Sequence, residues 1–291
     1  MVNTLSNLYR QTRSALMAQE DEYFATLYAR NIVCHFAGIS RENLLSDGQS
    51  TVDEDTAEAV QTAVDRLLGG EPLAYILGQW EFFGMTLHVN KNVLIPRDDT
   101  CAVTELAIKQ SLFLDTSPRI MDLCTGTGCI GLAIASRVKD AKVTLADISR
   151  DALAVAKKNV TDLKLSARVS CVQADALQEP PAFLGQFDLI VSNPPYITGQ
   201  EMEQLPHSVK AFEPHLALFG GTDGLDFYRN IAQNYKAVLK KGGYLCFEFG
   251  MGQGDDVCQI LHTNGFEVLE RVRDYNDIER AVLARYDRKE D

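Results

Sequence analysis

Phe187-Asp188-Leu189-Ile190-Val191-Ser192-Asn193-Pro194-Pro195-Tyr196 runs from a strand straight into a double proline. Phe187–Ser192 has the composition of a strand buried on both faces of a parallel sheet. Paired prolines neither continue a strand nor enter a helix interior, so the chain must break after Ser192. In open α/β sheets the carboxyl ends of parallel strands border the ligand crevice. Here that position offers an amide side chain, backbone carbonyls beside prolines that lack N–H groups, and an aromatic ring. A planar NH2 group suits such a set. The Asn193 side-chain oxygen and the Pro194 carbonyl can each accept one of its protons, while Tyr196 covers the flat face. The expected substrate is therefore an amide or an exocyclic amine.

Upstream, the short apolar run Arg119-Ile120-Met121-Asp122-Leu123 leads through Cys124-Thr125-Gly126-Thr127-Gly128-Cys129-Ile130-Gly131 into a helical segment to Val138. Strand, small-residue loop and helix let backbone approach a ligand closely and aim a helix N-terminus at it. A second unit repeats the logic. Lys142–Ala146 reads as a strand ending in Asp147, and Ser149 caps a helix over 150–159. An acid there is placed to accept hydrogen bonds from ribose hydroxyls. A third strand, Arg168–Val172, leads to Asp175-Ala176, where a carboxylate can meet an adenine amine. A nicotinamide dinucleotide and S-adenosylmethionine both fit the glycine loop. The acid Asp122 at the end of the first strand opposes a pyrophosphate and suits an aminoacyl group, which favours the methyl donor.

These motifs resemble the class I S-adenosylmethionine-dependent methyltransferases that act on planar nitrogen. More narrowly, the chain is similar to the HemK/PrmC family, which methylates the side-chain nitrogen of glutamine in peptide chain release factors. Glu71-Pro72-Leu73-Ala74-Tyr75-Ile76-Leu77-Gly78, Glu81-Phe82-Phe83-Gly84, Val93-Leu94-Ile95-Pro96-Arg97, Phe212-Glu213-Pro214 and Gly224-Leu225-Asp226-Phe227-Tyr228 carry the narrower resemblance. It implies a Rossmann-like α/β domain with a seven-stranded, mostly parallel sheet, a small N-terminal helical bundle and a β-hairpin connector. The implied segments are residues 1–79, 80–95 and 96–291, the first recognising the release factor. It also implies that Asp122, Cys124, Thr125, Gly126, Thr127 and Gly128 bind the donor, with Cys124–Gly128 holding its methionine moiety. Asp147 with Ile148 would bind the ribose, and Asp175 with Ala176 would lie by the adenine. Asn193 would touch both donor and acceptor, with Pro194, Pro195, Tyr196, Arg97 and Leu94 around the substrate. The product would be S-adenosylhomocysteine, and no metal is expected. Two positions depart from the family pattern: Cys124 stands where glycine is usual, and Asp98-Asp99-Thr100 where Pro-Glu-Thr is usual.

The implied activity is methyl transfer to the glutamine of the Gly-Gly-Gln motif of class I release factors. Alternatives are a glutamine of a large-subunit ribosomal protein, which Cys124 and Cys129 resemble, and an exocyclic amine of DNA or RNA. Charge argues against the nucleic acid. The net charge is −12, with 6 Lys/Arg against 12 Asp/Glu in residues 1–95 and 22 against 28 in the rest, so neither part shows a basic footprint. The 291 residues suffice for two domains, and 46% hydrophobic content supplies a core. No apolar run reaches the ~18 residues of a membrane span, and the polar stretch Met1–Arg13 does not read as a signal peptide. Seven cysteines without a Cys-x-x-Cys pair read as reduced thiols. A cytoplasmic monomer is expected.

Leu5, Leu8, Leu16 and Met17, then Tyr23, Phe24, Leu27, Tyr28 and Ile32, recur at helical spacing. Thr51 with Glu54 predicts a capping box opening a helix to Leu68, closed by Gly69-Gly70. Alternation predicts a hairpin over 82–95 with turns at Gly84 and Asn90-Lys91-Asn92. Helices over 100–113 and 225–239, and strands over 244–249, 266–272 and 280–286, complete the expected order.

Overall fold

The computed structural model describes residues 4–114 and 117–287. The first residues of the polar N-terminal stretch, Met1–Asn3, and the end of the 96–291 segment therefore lie outside the described residues. The chain forms two compact units: the part up to Gly78 together with His207–Phe212, and the part from Gln79 onward without that insertion. His207–Phe212, which the sequence reading leaves inside 96–291, thus groups with the N-terminal helices.

The first unit is helical: α1 (Leu5–Leu16), α2 (Glu22–Ala37), α3 (Arg41–Ser46), α4 (Glu54–Leu68) and α5 (Leu73–Leu77). Leu8, Leu16, Ala25, Ala29, Ile32, Val60 and Val64 are buried, all from the packed trio α1, α2 and α4. Asp53, not Thr51, caps α4, accepting a hydrogen bond from the Thr56 backbone N–H. Thr51 instead forms an isolated antiparallel bridge with Thr4. Both residue types cap well, and that bridge decides between them.

The second unit opens with β1 (Gln79–Phe82) and β2 (Met85–His88), an antiparallel hairpin. Its turn residues Phe83 and Gly84 have φ of +53° and +77°, the doubly left-handed form of a two-residue hairpin turn. The hairpin thus starts earlier than predicted and ends at His88. Asn159, only 1% exposed, anchors this end. Its side chain pairs with both backbone groups of His88 and donates to the Thr127 carbonyl at 2.9 Å, tying the hairpin to α8 and the glycine loop.

Then follow α6 (Thr100–Leu112), β3 (Arg119–Leu123), α7 (Cys129–Arg137), β4 (Lys142–Asp147), α8 (Arg150–Asp162), β5 (Val169–Gln173) and β6 (Phe187–Ser192). After α9 (Gly199–Gln204) and α10 (His207–Phe212) come α11 (Asp226–Asn234), β7 (Leu239–Glu248), α12 (Gly254–Thr263), β8 (Phe266–Arg273) and β9 (Glu279–Tyr286). The helix predicted over 225–239 is shorter because its last turns tighten into a 3-10 helix at Tyr235–Val238. Among the described residues the sheet has seven strands in the order β5-β4-β3-β6-β7-β9-β8, parallel except at β9.

Both faces of this sheet are covered, which is why its strands read as continuous apolar runs. Ile120, Leu189, Val191 and Cys246 pack with α6, α7 and α8, while Met121, Leu123, Ile190 and Phe247 pack with α11 and α12. Strand order reverses between β3 and β6, so a crevice opens at their carboxyl ends. Gly131 is where α7 meets the sheet. A Cβ there would stand 2.3 Å from Leu145 Cδ2 and 3.0 Å from Asp122 Cβ. Gly131→Ala is expected to cost about 1–3 kcal/mol by overpacking. Denaturant unfolding of the variant checks this, and an unchanged midpoint would contradict the packing described.

Candidate functional site

A cavity of about 830 Å³, counted to its open mouth, lies at the carboxyl ends of β3, β4, β5 and β6. Its walls include Leu94, Cys124, Gly126, Asp147, Ile148, Asp175, Ala176, Asn193, Pro195 and Phe227. Two carboxylates and no Lys or Arg stand among the described residues lining it. Such walls accept a ligand carrying positive charge and amine or hydroxyl donors, and they oppose a pyrophosphate.

The glycine loop is held from below. Asp122 is 0% exposed, and its Oδ2 accepts from the Thr125 hydroxyl at 2.6 Å and the Gly131 N–H at 2.9 Å. Burial pushes its pKa to about 7, against the pull of those two bonds and with a further push from Asp147. Asp122 therefore lies beneath the loop and not on the cavity wall. Its flanking residues explain this placement: Met121 and Leu123 face α11, so Asp122 faces α7. Thr125 and Thr127 are also buried, and neither they nor Gly128 line the cavity. Cys124 does line it, with φ of +61°. This left-handed backbone is costly for a side chain and free for glycine, which explains the usual residue there.

Asp147 ends β4 at the cavity wall. Its Oδ2 accepts from the Gly126 N–H and its Oδ1 from the Ser149 N–H, each at 2.9 Å. Each oxygen retains a free lone pair, enough for two adjacent hydroxyls. Burial raises its pKa above the usual value. β5 stops at Gln173, so Asp175 sits two residues past the strand, where its Oδ1 accepts from the Leu177 N–H at 2.9 Å.

The Asn193–Tyr196 break is braced by groups distant in sequence. A Cβ on Gly220 would meet the Pro195 carbonyl at 2.6 Å, so the two backbones touch. Gln253 Nε2 donates to the Tyr196 carbonyl at 3.1 Å, and its Oε1 accepts from the Gly250 N–H at 2.9 Å. Asn193 lines the cavity and its Nδ2 donates to Thr100 Oγ1 at 3.3 Å. Pro194 and Tyr196 are not on the cavity wall. The Tyr196 ring packs on the core around Phe247 and Phe249, and burial pushes its hydroxyl to about 12. Among the described residues, the aromatic ring on the wall is Phe227.

Arg97 is likewise off the wall. It pairs with buried Glu213, whose Oε2 also accepts from the Ile95 N–H at 3.2 Å. That pairing fixes Val93 and Leu94 on one wall and Pro214 on another. Asp99, the family-variant position, pairs with Arg280 at 3.1 Å. Gln253, Asn159, Thr100 and Glu248 escaped the sequence reading. Only Glu248 left a signal, an acid between two phenylalanines at a strand end.

A parallel sheet reversing at a crevice with no Lys or Arg among the described residues lining it, and an Asn-Pro-Pro-Tyr break on its edge, is a class I S-adenosylmethionine-dependent methyltransferase fold. Residues 103–212 match the methyltransferase small domain and residues 7–78 the PrmC N-terminal domain. The chain is 39% identical over 241 residues to the release factor glutamine methyltransferase of Clostridium acetobutylicum, covering 83% of this chain and 84% of that one. It is 37% identical to that of Chlorobaculum tepidum over 94% of each chain. A methyltransferase from Pyrococcus furiosus shares the fold, with a TM-score of 0.51 at 15% identity over 78% of this chain and 99% of that one. The chain belongs to the release factor glutamine methyltransferase family.

Asp122→Asn keeps an oxygen for Thr125 and Gly131 and is expected to bind the methyl donor within about threefold of the parent, whereas Asp122→Ala loses about 2–4 kcal/mol of stability. The parent's neutral Asp122 is favoured in the folded state, so its contribution is complete below the usual 3.8 and lost as pH rises through about 7. Thermal melts should therefore show the asparagine variant gaining on the parent across that window. A constant difference would place the titration elsewhere.

Proposed function

We propose that this protein transfers the methyl group of S-adenosylmethionine to the side-chain amide nitrogen of the glutamine in the Gly-Gly-Gln motif of class I release factors. The observation that carries this reading is Asn193, seated in the crevice wall with its amide nitrogen tied back to Thr100. Its oxygen is thereby left as an acceptor for an NH2 group. The activity of the family's release factor glutamine methyltransferases supports glutamine as the bearer of that group.

The walls fit the donor: Asp147 for the ribose hydroxyls, Asp175 and Ala176 for the adenine, Cys124 and Gly126 for the methionine portion, and no Lys or Arg among the described residues to repel the sulfonium. Bound S-adenosylmethionine supplies an electrophilic methyl group. The chain's own task is to make a poor nucleophile adequate. An amide lone pair is delocalised into its carbonyl, and hydrogen bonds from its N–H groups, above all to Asn193 Oδ1, push density back onto nitrogen. They also fix its direction, and orientation of this kind is worth several kcal/mol. Leu94, Phe227 and Pro195 keep water from the reacting nitrogen. Tyr196, held neutral by burial, takes no proton, and none need be taken before the new bond forms. Arg97 acts through Glu213 to set the Leu94 wall. We assign residues 1–79 to recognition of the release factor, a reading supported by their match to the PrmC N-terminal domain, and we infer a cytoplasmic monomer.

The test is transfer from isotope-labelled donor to purified release factor, with ribosomal protein and nucleic acid in parallel and the label located by mass spectrometry. Label is expected on the Gly-Gly-Gln glutamine, and Asn193→Ala should lower kcat about 100-fold or more. Label confined to a ribosomal protein or a base would overturn the choice of substrate.

A further inference from the structure

Glu248 is the last residue of β7, and the register that sets Phe247 beside Ser192 brings it next to Asn193. It is 2% exposed, and its Oε2 has no hydrogen-bond partner among the described residues. The Thr100 and Asn193 side chains stand beside its carboxyl group and favour its ionised form. Thr100, which opens α6, is also 2% exposed and accepts from Asn193 Nδ2 at 3.3 Å. The two ends of an asparagine amide have nearly the same shape, so packing alone does not choose which end faces the cavity. A carboxylate does choose, because it only accepts hydrogen bonds.

We propose that Thr100 and Glu248 are positioning residues that lock the Asn193 amide with its nitrogen inward and its oxygen toward the cavity. The pair thereby decides that the site accepts an NH2 group and rejects an acceptor-only ligand. The inference rests on the proposed transfer to an amide. A reversed Asn193 would aim N–H groups at the N–H groups of the substrate, and every molecule in that state is lost to turnover.

The lock has a pH dependence. Burial pushes Glu248 to about 8, while Thr100, Arg280 on β9 and Asn193 pull it down and Asp99 pushes it up. The other groups that sense its charge are Cys101 on α6, Cys129 on α7, Tyr196 after β6 and Tyr228 on α11. Burial holds all of these thiols and phenols neutral through the neutral range. The ionised carboxylate enforces the inward nitrogen, whereas the neutral acid carries an O–H that can donate to Asn193 Oδ1 and release the amide. The kcat of the parent should therefore rise with pH as Glu248 ionises, and a bound cationic donor draws that limb to lower pH.

The experiment compares Thr100→Val, Thr100→Ser and Glu248→Gln in the full chain. Readouts are steady-state transfer to the release factor across pH, calorimetric binding of S-adenosylmethionine, and side-chain NH2 signals of 15N-asparagine-labelled protein, with Asn193→Asp assigning the Asn193 pair. Thr100→Val should lower kcat about 10- to 100-fold while donor affinity stays within about threefold, and Thr100→Ser should restore most of the loss. Glu248→Gln, which can both donate and accept, should lose the rising pH limb. In the parent the Asn193 NH2 protons should exchange slowly, and they should exchange at the rate of an exposed amide in Thr100→Val.

Thr100→Val with kcat within about threefold of the parent, Thr100→Ser no better than Thr100→Val, or unaltered Asn193 exchange would each overturn the proposal. If Glu248→Gln does not bind donor, the isosteric threonine pair and the exchange rates still decide. A parent that labels no amide sinks the proposed function instead, and the exchange rates then judge the lock separately.

Discussion

A single carboxyl oxygen beneath the glycine loop holds the carboxyl edge of the sheet in shape. Asp122 Oδ2 gathers the Thr125 hydroxyl and the Gly131 N–H, one of the α7 amide groups without an intrahelical acceptor. That grip draws α7 so close to β3 that position 131 has no room for a side chain. The loop is also tied to β4, through Thr125 N–H to the Ala146 carbonyl at 3.1 Å and Gly126 N–H to Asp147. With both ends fixed, Cys124 takes its left-handed backbone, and the ligand-facing atoms of the loop are set before any ligand arrives. The carboxyl group is desolvated for this purpose, and its raised pKa records the cost.

The substrate edge is built on a different principle. A double proline removes backbone donors, so the break after β6 cannot brace itself. Its carbonyls are held from outside by Gln253, by the backbone of Gly220, and by the short bridge between Ile197 and Phe219. Arg97 and Glu213 do the same for the facing wall. Both edges are thus preorganised, chiefly by groups that do not line the cavity, as an orientation-dependent reaction requires.

The same division explains what the sequence could reveal. Strands such as Phe187–Ser192 are legible because burial on both faces leaves an uninterrupted apolar run. The glycine loop is legible because close approach demands small residues. The placement of Asp147, Asp175, Ile148 and Ala176 on the cavity wall follows from their positions at or just past strand ends. Asp122 is harder to place because it too stands at a strand end, one residue short of the last. In a pleated strand that step turns it to the opposite face, under α7. An aromatic beside a motif suggests a stacking wall; the Tyr196 ring is partly buried against the core that includes Phe247 and Phe249, and Phe227 lines the cavity. Gln253, Asn159 and Thr100 act on partners dozens of residues away. A lone polar side chain carries no local pattern that announces such a partner.

Charge and hydrogen-bond polarity divide the labour in the crevice. Its walls carry acids and no cation among the described residues, so they favour a positively charged ligand. An amide substrate brings no net charge, and Tyr196 stays neutral through the working range, so charge alone cannot select that substrate. Selection falls to which atoms accept and which donate. Asn193 has one face of each kind, and the residue beneath it determines which face the substrate meets. An acidic group buried at Glu248 is costly to stability. Its position beside the one side chain whose polarity must not reverse gives that cost a chemical purpose.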